Sequence, residues 1–321
     1  MQSRFVEKDA SEMVERYDKR GIAEDIALRV YTTRLLGGDP KLVLHGGGNT
    51  SVKTRVTDLM GEPADVLCVK GSGWDMATIE PAGLPAVRLD ALKKLRARDM
   101  LTDEDMVAVQ RANLIDPMAP NPSVETLLHA FVPHKFVDHT HSTAVLSLID
   151  QPNGVELTEE VYNSTMGVVP YIMPGFALAK KSVEVYEANP KAIGLILHKH
   201  GIFTFGATAR EAYERMIEMV SLAEARLKKS RKAVFATAQM PQHTASVAQI
   251  APVVRGACAV KNDKGEGAHR RLVMEFRTND AILNYVNGAE VKRYSQAGVV
   301  TPDHTIPVSY THLTLPTIYS V

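Results

Sequence analysis

The run Phe136-Val137-Asp138-His139-Thr140-His141 alternates as an extended strand does. Side chains on a strand leave opposite faces with a period of two, so His139 and His141 emerge together and can grip one ion through imidazole nitrogens. Two histidines on a wet strand face have the same spacing, so a metal site needs a third ligand. Just upstream, Pro122-Ser123-Val124-Glu125 reads as a helix start, with Ser123 at the cap and Leu127, Leu128 and Phe131 forming the buried stripe. Glu125 then sits at the second helical position.

Working outward, the same alternation of helix and strand recurs. Ile22, Ile26 and Val30 repeat every four residues in a helix near 22–36, which Gly37-Gly38 ends. Charge-rich residues 1–20 are also read as helical. Leu42-Val43-Leu44 and Asp65-Val66-Leu67-Cys68-Val69 read as strands running into the glycine-rich loops His45-Gly46-Gly47-Gly48-Asn49-Thr50-Ser51 and Lys70-Gly71-Ser72-Gly73. A helix closes over Tyr186 to Pro190, and Ala192 to Leu197 is a buried strand. Thr208-Ala209-Arg210-Glu211 is a capping box opening a helix that carries Ala212, Met216, Met219, Ala223 and Leu227. This order argues for a layered α/β domain with a central β-sheet flanked by helices over residues 1–235, including the N-terminal helices. Residues 236–306 form a small C-terminal α/β segment, with Arg271 to Phe276 as a strand and Asn279 to Tyr294 as a helix. Residues 307–321, PVSYTHLTLPTIYSV, hold no Asp, Glu, Lys or Arg. They are read as a non-native, adapter-derived tail, so His312 is left out of any site and the natural chain is expected to continue differently past residue 306.

Composition narrows the function. Lys+Arg and Asp+Glu both number 37, so there is no net field to attract nucleic acid or an anionic membrane, and a small-molecule substrate is expected. Cys68 and Cys258 are the whole cysteine complement, far apart, which speaks against a disulfide framework or a cysteine-based zinc site and fits a cytoplasmic, soluble protein. The N-terminus lacks the apolar core of a signal peptide.

A third metal ligand is offered by Leu195-Ile196-Leu197-His198-Lys199-His200-Gly201, where an apolar strand ends in histidines. Ligands gather at such strand ends in α/β folds. His198 and His200 would share one strand face, so spacing leaves the choice between them open. Three imidazoles leave positions open for substrate oxygens, as a catalytic zinc requires. Glu125 near a helix amino end is either a carboxylate favoured by the helix dipole or a base facing the metal. His129, one turn on, reads as a packing or supporting residue. The glycine-rich loops admit an anion, with Asn49, Ser72 and Ser123 as side-chain donors, but match neither a P-loop nor a dinucleotide fingerprint.

GGGNTS, KGSGW, PSVE, DHTH and HKHG together resemble the class II aldolase/adducin family, in order and spacing, over about residues 20 to 306. The resemblance is nearest to members in which such a half, often described as acting on rhamnulose 1-phosphate, precedes a short-chain alcohol dehydrogenase. It implies a zinc or other divalent-metal site of His139, His141 and His200, with Glu125 as catalytic acid/base. It also implies a phosphate site of Asn49, Ser72, Gly73 and Ser123. Where sugar-phosphate aldolases of the family place a second serine before the glutamate, this chain has Val124. The implied reaction is retro-aldol cleavage of a ketose 1-phosphate to dihydroxyacetone phosphate and an aldehyde, in carbohydrate (rhamnose) catabolism. Epimerisation or dehydration of a sugar phosphate, zinc-dependent hydrolysis and a non-catalytic adducin-like scaffold are the alternatives. A homo-oligomer and a following dehydrogenase domain are implied as well.

Overall fold

Alternating apolar strands assemble into one sheet in the computed structural model of the chain, which describes residues 1–229, 243, 245–262, 267–270 and 272–304. The strands are β1 (Asn49–Thr57), β2 (Pro63–Val69), β3 (Ala86–Arg88), β4 (Phe136–Thr140), β5 (Met166–Val169), β6 (Gly194–Leu197) and β7 (Gly201–Gly206). Their order is β3-β2-β1-β4-β7-β6-β5. Neighbours run antiparallel except β5 and β6.

The period of two sorts side chains onto two faces. Leu195 and Leu197 join Phe203, Phe205 and Val137 in one core, whereas Ile196 and Ile202 join another. Every residue of β4, β6 and β7 is buried, as expected of strands covered on both sides. The covering helices are α1 (Glu7–Asp18), α2 (Glu24–Gly37), α3 (Leu89–Lys94), α4 (Asp103–Ala112), α5 (Thr126–Phe131), α6 (Thr143–Ile149), α7 (Gly154–Tyr162), α8 (Phe176–Ala188) and α9 (Ala209–Lys228). Helices α3, α5 and α8 share the core containing Val137. Helices α2, α6 and α9 contribute to the cores on the opposite face. Thr208 caps α9 by accepting from Glu211 N, and Glu211 Oε2 reaches back to Ala207 N rather than to the cap itself.

The chain divides into two compact units, the first running from Met1 to Arg231 and resuming at Val299, the second running from Lys232 to Gly298. Within the second, the described elements are α10 (Val247–Ala257), the paired β8 (Val260–Lys261) and β9 (His269–Arg270), α11 (Asp280–Val286) and α12 (Val291–Tyr294). No helix among the described residues is long and apolar enough to cross a membrane.

Several expectations are corrected. Leu42-Val43-Leu44 is not a strand: Leu42 and Val43 donate to Asp39 O, and the backbone turns through positive φ at His45 (51°) and Gly48 (62°). The two buried side chains fill a loop, and the strand begins after the glycines, at Asn49. Glu125 is the N-cap of α5 rather than its second residue, because Ser123 O accepts from Thr126 N in a tight turn that keeps 123–125 out of the helix. His198-Lys199-His200 is a turn between antiparallel strands, with Lys199 at φ 58°, so His198 and His200 do not share a strand face. Residues 272–276 have no regular structure: no strand among the described residues pairs with them, and Val273 and Phe276 are exposed. The helix expected from Asn279 to Tyr294 is broken at Asn287-Gly288. Arg271 and the tail from 307, with His312, lie outside the described residues.

Candidate metal centre

Register builds the site. Asn49 at the start of β1 pairs with His139 near the end of β4, and His139 pairs on its other side with Phe203 of β7. Cross-strand partners share a face. The His139 ring stacks on Phe203, with centroids 4.1 Å apart and planes 14° apart. His141 lies one residue beyond β4, and His200 reaches in from the β6–β7 turn. The ligand atoms of His139, His141 and His200 all lie within 4.8 Å of one another, and all three residues are buried. His198, the other candidate, stays partly buried at the side of Gly154. Because the sheet is largely antiparallel, one strand's end meets another's beginning here, so the rule for parallel carboxyl edges is not what gathers the site.

The ring nitrogens are committed in a way that fits a metal ion. His139 Nδ1 lies 3.1 Å from Ile202 O, and a carbonyl only accepts, so Nδ1 carries the proton and Nε2 offers a lone pair. His141 Nδ1 faces a carboxylate oxygen of Asp303 at 2.5 Å, which fixes the same tautomer. The two Nε2 atoms are 3.0 Å apart, a separation that a shared cation, metal ion or proton, satisfies. Burial, then the nearby His141 and His200, holds His139 well below the usual histidine range. Burial and His141 likewise push His200 down to about 3. Neutral imidazoles are what a divalent metal requires.

Close approach makes Gly201 necessary. A Cβ there would meet Thr140 O at 2.6 Å and the rings of His139 and His141 at 3.0 Å. Gly201→Ala is expected to splay the two rings at an overpacking cost of about 1–3 kcal/mol, read as weaker Zn²⁺ retention in competition with a chelator; unchanged retention contradicts this.

Glu125 is buried against these nitrogens, its carboxylate 3.3 Å from His139 Nε2 and 3.4 Å from His200 Nε2. Asn49 Nδ2 donates to Glu125 Oε2 at 2.7 Å, while Oε1 has no hydrogen-bond partner among the described residues. Burial raises the Glu125 carboxyl, outweighing the opposing pull of that hydrogen bond. His129 supports Asn49 from behind: Nε2 donates to Asn49 Oδ1 at 2.5 Å and Nδ1 accepts from Ser51 Oγ at 2.8 Å.

The expected phosphate residues form a second cluster beside the first. Gly71 bridges to Pro122, Ser72 N donates to Asn121 O at 2.7 Å, and Ser123 N donates to Lys70 O at 3.1 Å, so the 70–73 loop lies against 121–123. Gly73 takes a positive φ of 83°. Ser72 and Gly73 are exposed, and Asn49 Nδ2 also donates to Ser123 Oγ at 3.0 Å, leaving both of its donors used. Sequence reasoning gave no role to Lys70, which donates to Gly46 O and which burial pushes down to about 8. It also missed Asp303, whose only local sign is an aspartate after Pro302.

Fold and site together define an α/β protein with a buried three-histidine centre able to hold a divalent metal. A family model described as the class II aldolase and adducin N-terminal domain matches residues 28–227, and one described as the second domain of class II aldolases matches residues 245–319. The chain belongs to the class II aldolase and adducin family. The N-terminal class II aldolase domain of a conserved protein from Thermoplasma acidophilum is similar in structure, with 41% identity and a TM-score of 0.62, covering 71% of this chain and 99% of that one. YuxG of Bacillus subtilis, an uncharacterized oxidoreductase, is 35% identical over 284 residues, 86% of this chain; the match spans only 40% of that relative. A methylthioribulose-1-phosphate dehydratase of Pectobacterium atrosepticum is 29% identical over 164 residues, 44% of this chain and 78% of its own length.

Proposed function

We propose that the chain is a divalent-metal lyase that cleaves a ketose 1-phosphate, of the rhamnulose 1-phosphate kind, to dihydroxyacetone phosphate and an aldehyde. The observation that carries this reading is the convergence of His139, His141 and His200 on one point, with the Glu125 carboxylate 3.3 Å from His139. These imidazoles would hold a zinc or other divalent ion, which would supply Lewis-acid polarisation of the substrate carbonyl. Glu125, shifted by burial toward holding its proton, carries a proton to or from the carbon that loses its bond. Asn49 and His129 fix the direction of that carboxylate. Ser72, Gly73 and Ser123 are assigned to the phosphate, with Lys70 as the nearby cation. Asn49 joins them by giving up its bond to Ser123.

Similarity to a methylthioribulose-1-phosphate dehydratase supports a second reading, loss of water from a phosphorylated ketose at the same centre. Incubation with rhamnulose 1-phosphate and a coupled assay for dihydroxyacetone phosphate distinguishes the two. Release of the three-carbon phosphate supports cleavage, and a dehydrated product with the carbon chain intact supports the dehydratase reading. The greater length and oxidoreductase name of the B. subtilis relative support the further proposal that the natural chain continues into a dehydrogenase domain. Assembly as a homo-oligomer belongs to the same reading.

A further inference from the structure

A buried carboxylate that the proposed chemistry does not use stands behind the centre. Asp303 is 162 residues on from His141, yet residues from Val299 belong to the same compact unit, and Asp303 is 2% exposed. Its Oδ1 lies 2.5 Å from His141 Nδ1, and its Oδ2 accepts from Leu44 N at 2.7 Å. The seat is shaped for it: a Cβ on Gly47 would come within 1.6 Å of Asp303 Oδ1.

We propose that Asp303 is a positioning residue that holds His141 as a metal ligand, an inference that rests on reading the three histidines as a metal centre. Leu44 N can only donate, so Oδ2 must accept. A carboxylate offers acceptors to both contacts, so His141 donates through Nδ1 and its Nε2 faces His139. A carboxylate behind a ligating imidazole fixes the ring's orientation and raises its basicity. Asparagine, the nearest isostere, cannot serve both contacts. It has one acceptor, so its amide nitrogen must face either Leu44 N–H or His141 Nδ1. The first arrangement sets two donors against each other. The second needs the other tautomer, with the proton on Nε2 where the metal would bind. The glycine run at 46–48 thereby gains a use besides anion binding, since Gly47 leaves the space in which the carboxylate reaches the ring.

The test is Zn²⁺ affinity of the full chain, measured by competition with a chromophoric chelator, together with the visible spectrum of the Co²⁺-loaded protein. Asp303→Asn is expected to weaken Zn²⁺ binding by about 10–100-fold and to alter the Co²⁺ band envelope. Gly47→Ala, which displaces the carboxylate without changing it, should do the same and decides the matter if Asp303→Asn does not fold. If the carboxylate only pins the C-terminal segment, its loss lowers the thermal midpoint of the metal-free protein and leaves affinity and spectrum as in the parent. That result overturns the inference. A parent that binds no Zn²⁺ overturns it together with the functional reading, whereas a parent that binds, with both variants binding equally well, overturns this inference alone.

Discussion

Glu125→Gln is expected to lower turnover by about 10²–10⁴-fold, the range over which a positioned acid/base contributes, while the protein keeps its metal. The substitution preserves shape and the bond from Asn49 Nδ2, since the amide oxygen can still accept it. It removes a carboxylate that faces His139 and His200 and can both take and return a proton. The ligand nitrogens belong to other residues, His139 on β4, His141 just past its end and His200 on the β6–β7 turn, so the histidine cluster does not depend on the charge at 125. Steady-state kinetics alongside metal analysis of the same preparation checks the pair of outcomes. Full activity in Glu125→Gln removes the residue from the chemistry.

Asp138→Ala should destabilise the metal-free protein by about 3–5 kcal/mol, a large part of the ordinary stability of a folded domain. Asp138 precedes His139 on β4 and faces the opposite side, toward α2, where Arg29 Nη1 lies 2.5 Å from Asp138 Oδ1 with both side chains fully buried. Burial drives the Asp138 carboxyl upward against the pull of the guanidinium, so removing the carboxylate strands a cation without water. Among the described residues, Asp138 Oδ2 and Arg29 Nε have no hydrogen-bond partner, so the pair is not fully compensated even when intact. Arg29→Met combined with Asp138→Leu should therefore recover most of the loss, since well-packed apolar replacements of buried ion pairs are often neutral or better. Urea unfolding of the single and double variants measures both effects. A double variant no more stable than Asp138→Ala contradicts the assignment of the loss to an unpaired charge.

How far the sequence could be read follows from where each constraint acts. Within β4 the alternation of Phe136 to Thr140 is local and puts His139 and His141 on one face, while the alternation of strands with helices along the chain points to a sheet covered by helices. Pro122 and Ser123 mark a helix start beside Glu125, although the turn held by Ser123 O sets that start two residues later. The choice of His200 over His198 lay beyond spacing, because the turn's geometry depends on a positive φ at Lys199 that no pattern of hydrophobicity encodes. Leu42 to Leu44 misled for a related reason: buried apolar side chains look alike in a strand and in a loop that covers a core. Asp303 left almost no trace, since its contact with His141 is set by a chain return across 162 positions and by the missing Cβ at Gly47.

On the reading proposed above, His139, His141 and His200 together bind one divalent ion. Equilibrium dialysis of metal-stripped protein against Zn²⁺ tests it directly, comparing the parent with a variant in which all three histidines are replaced by alanine. The expected result is one tightly held ion per parent chain and none in the variant. A parent that takes up no ion, or a variant that holds one as firmly, contradicts it.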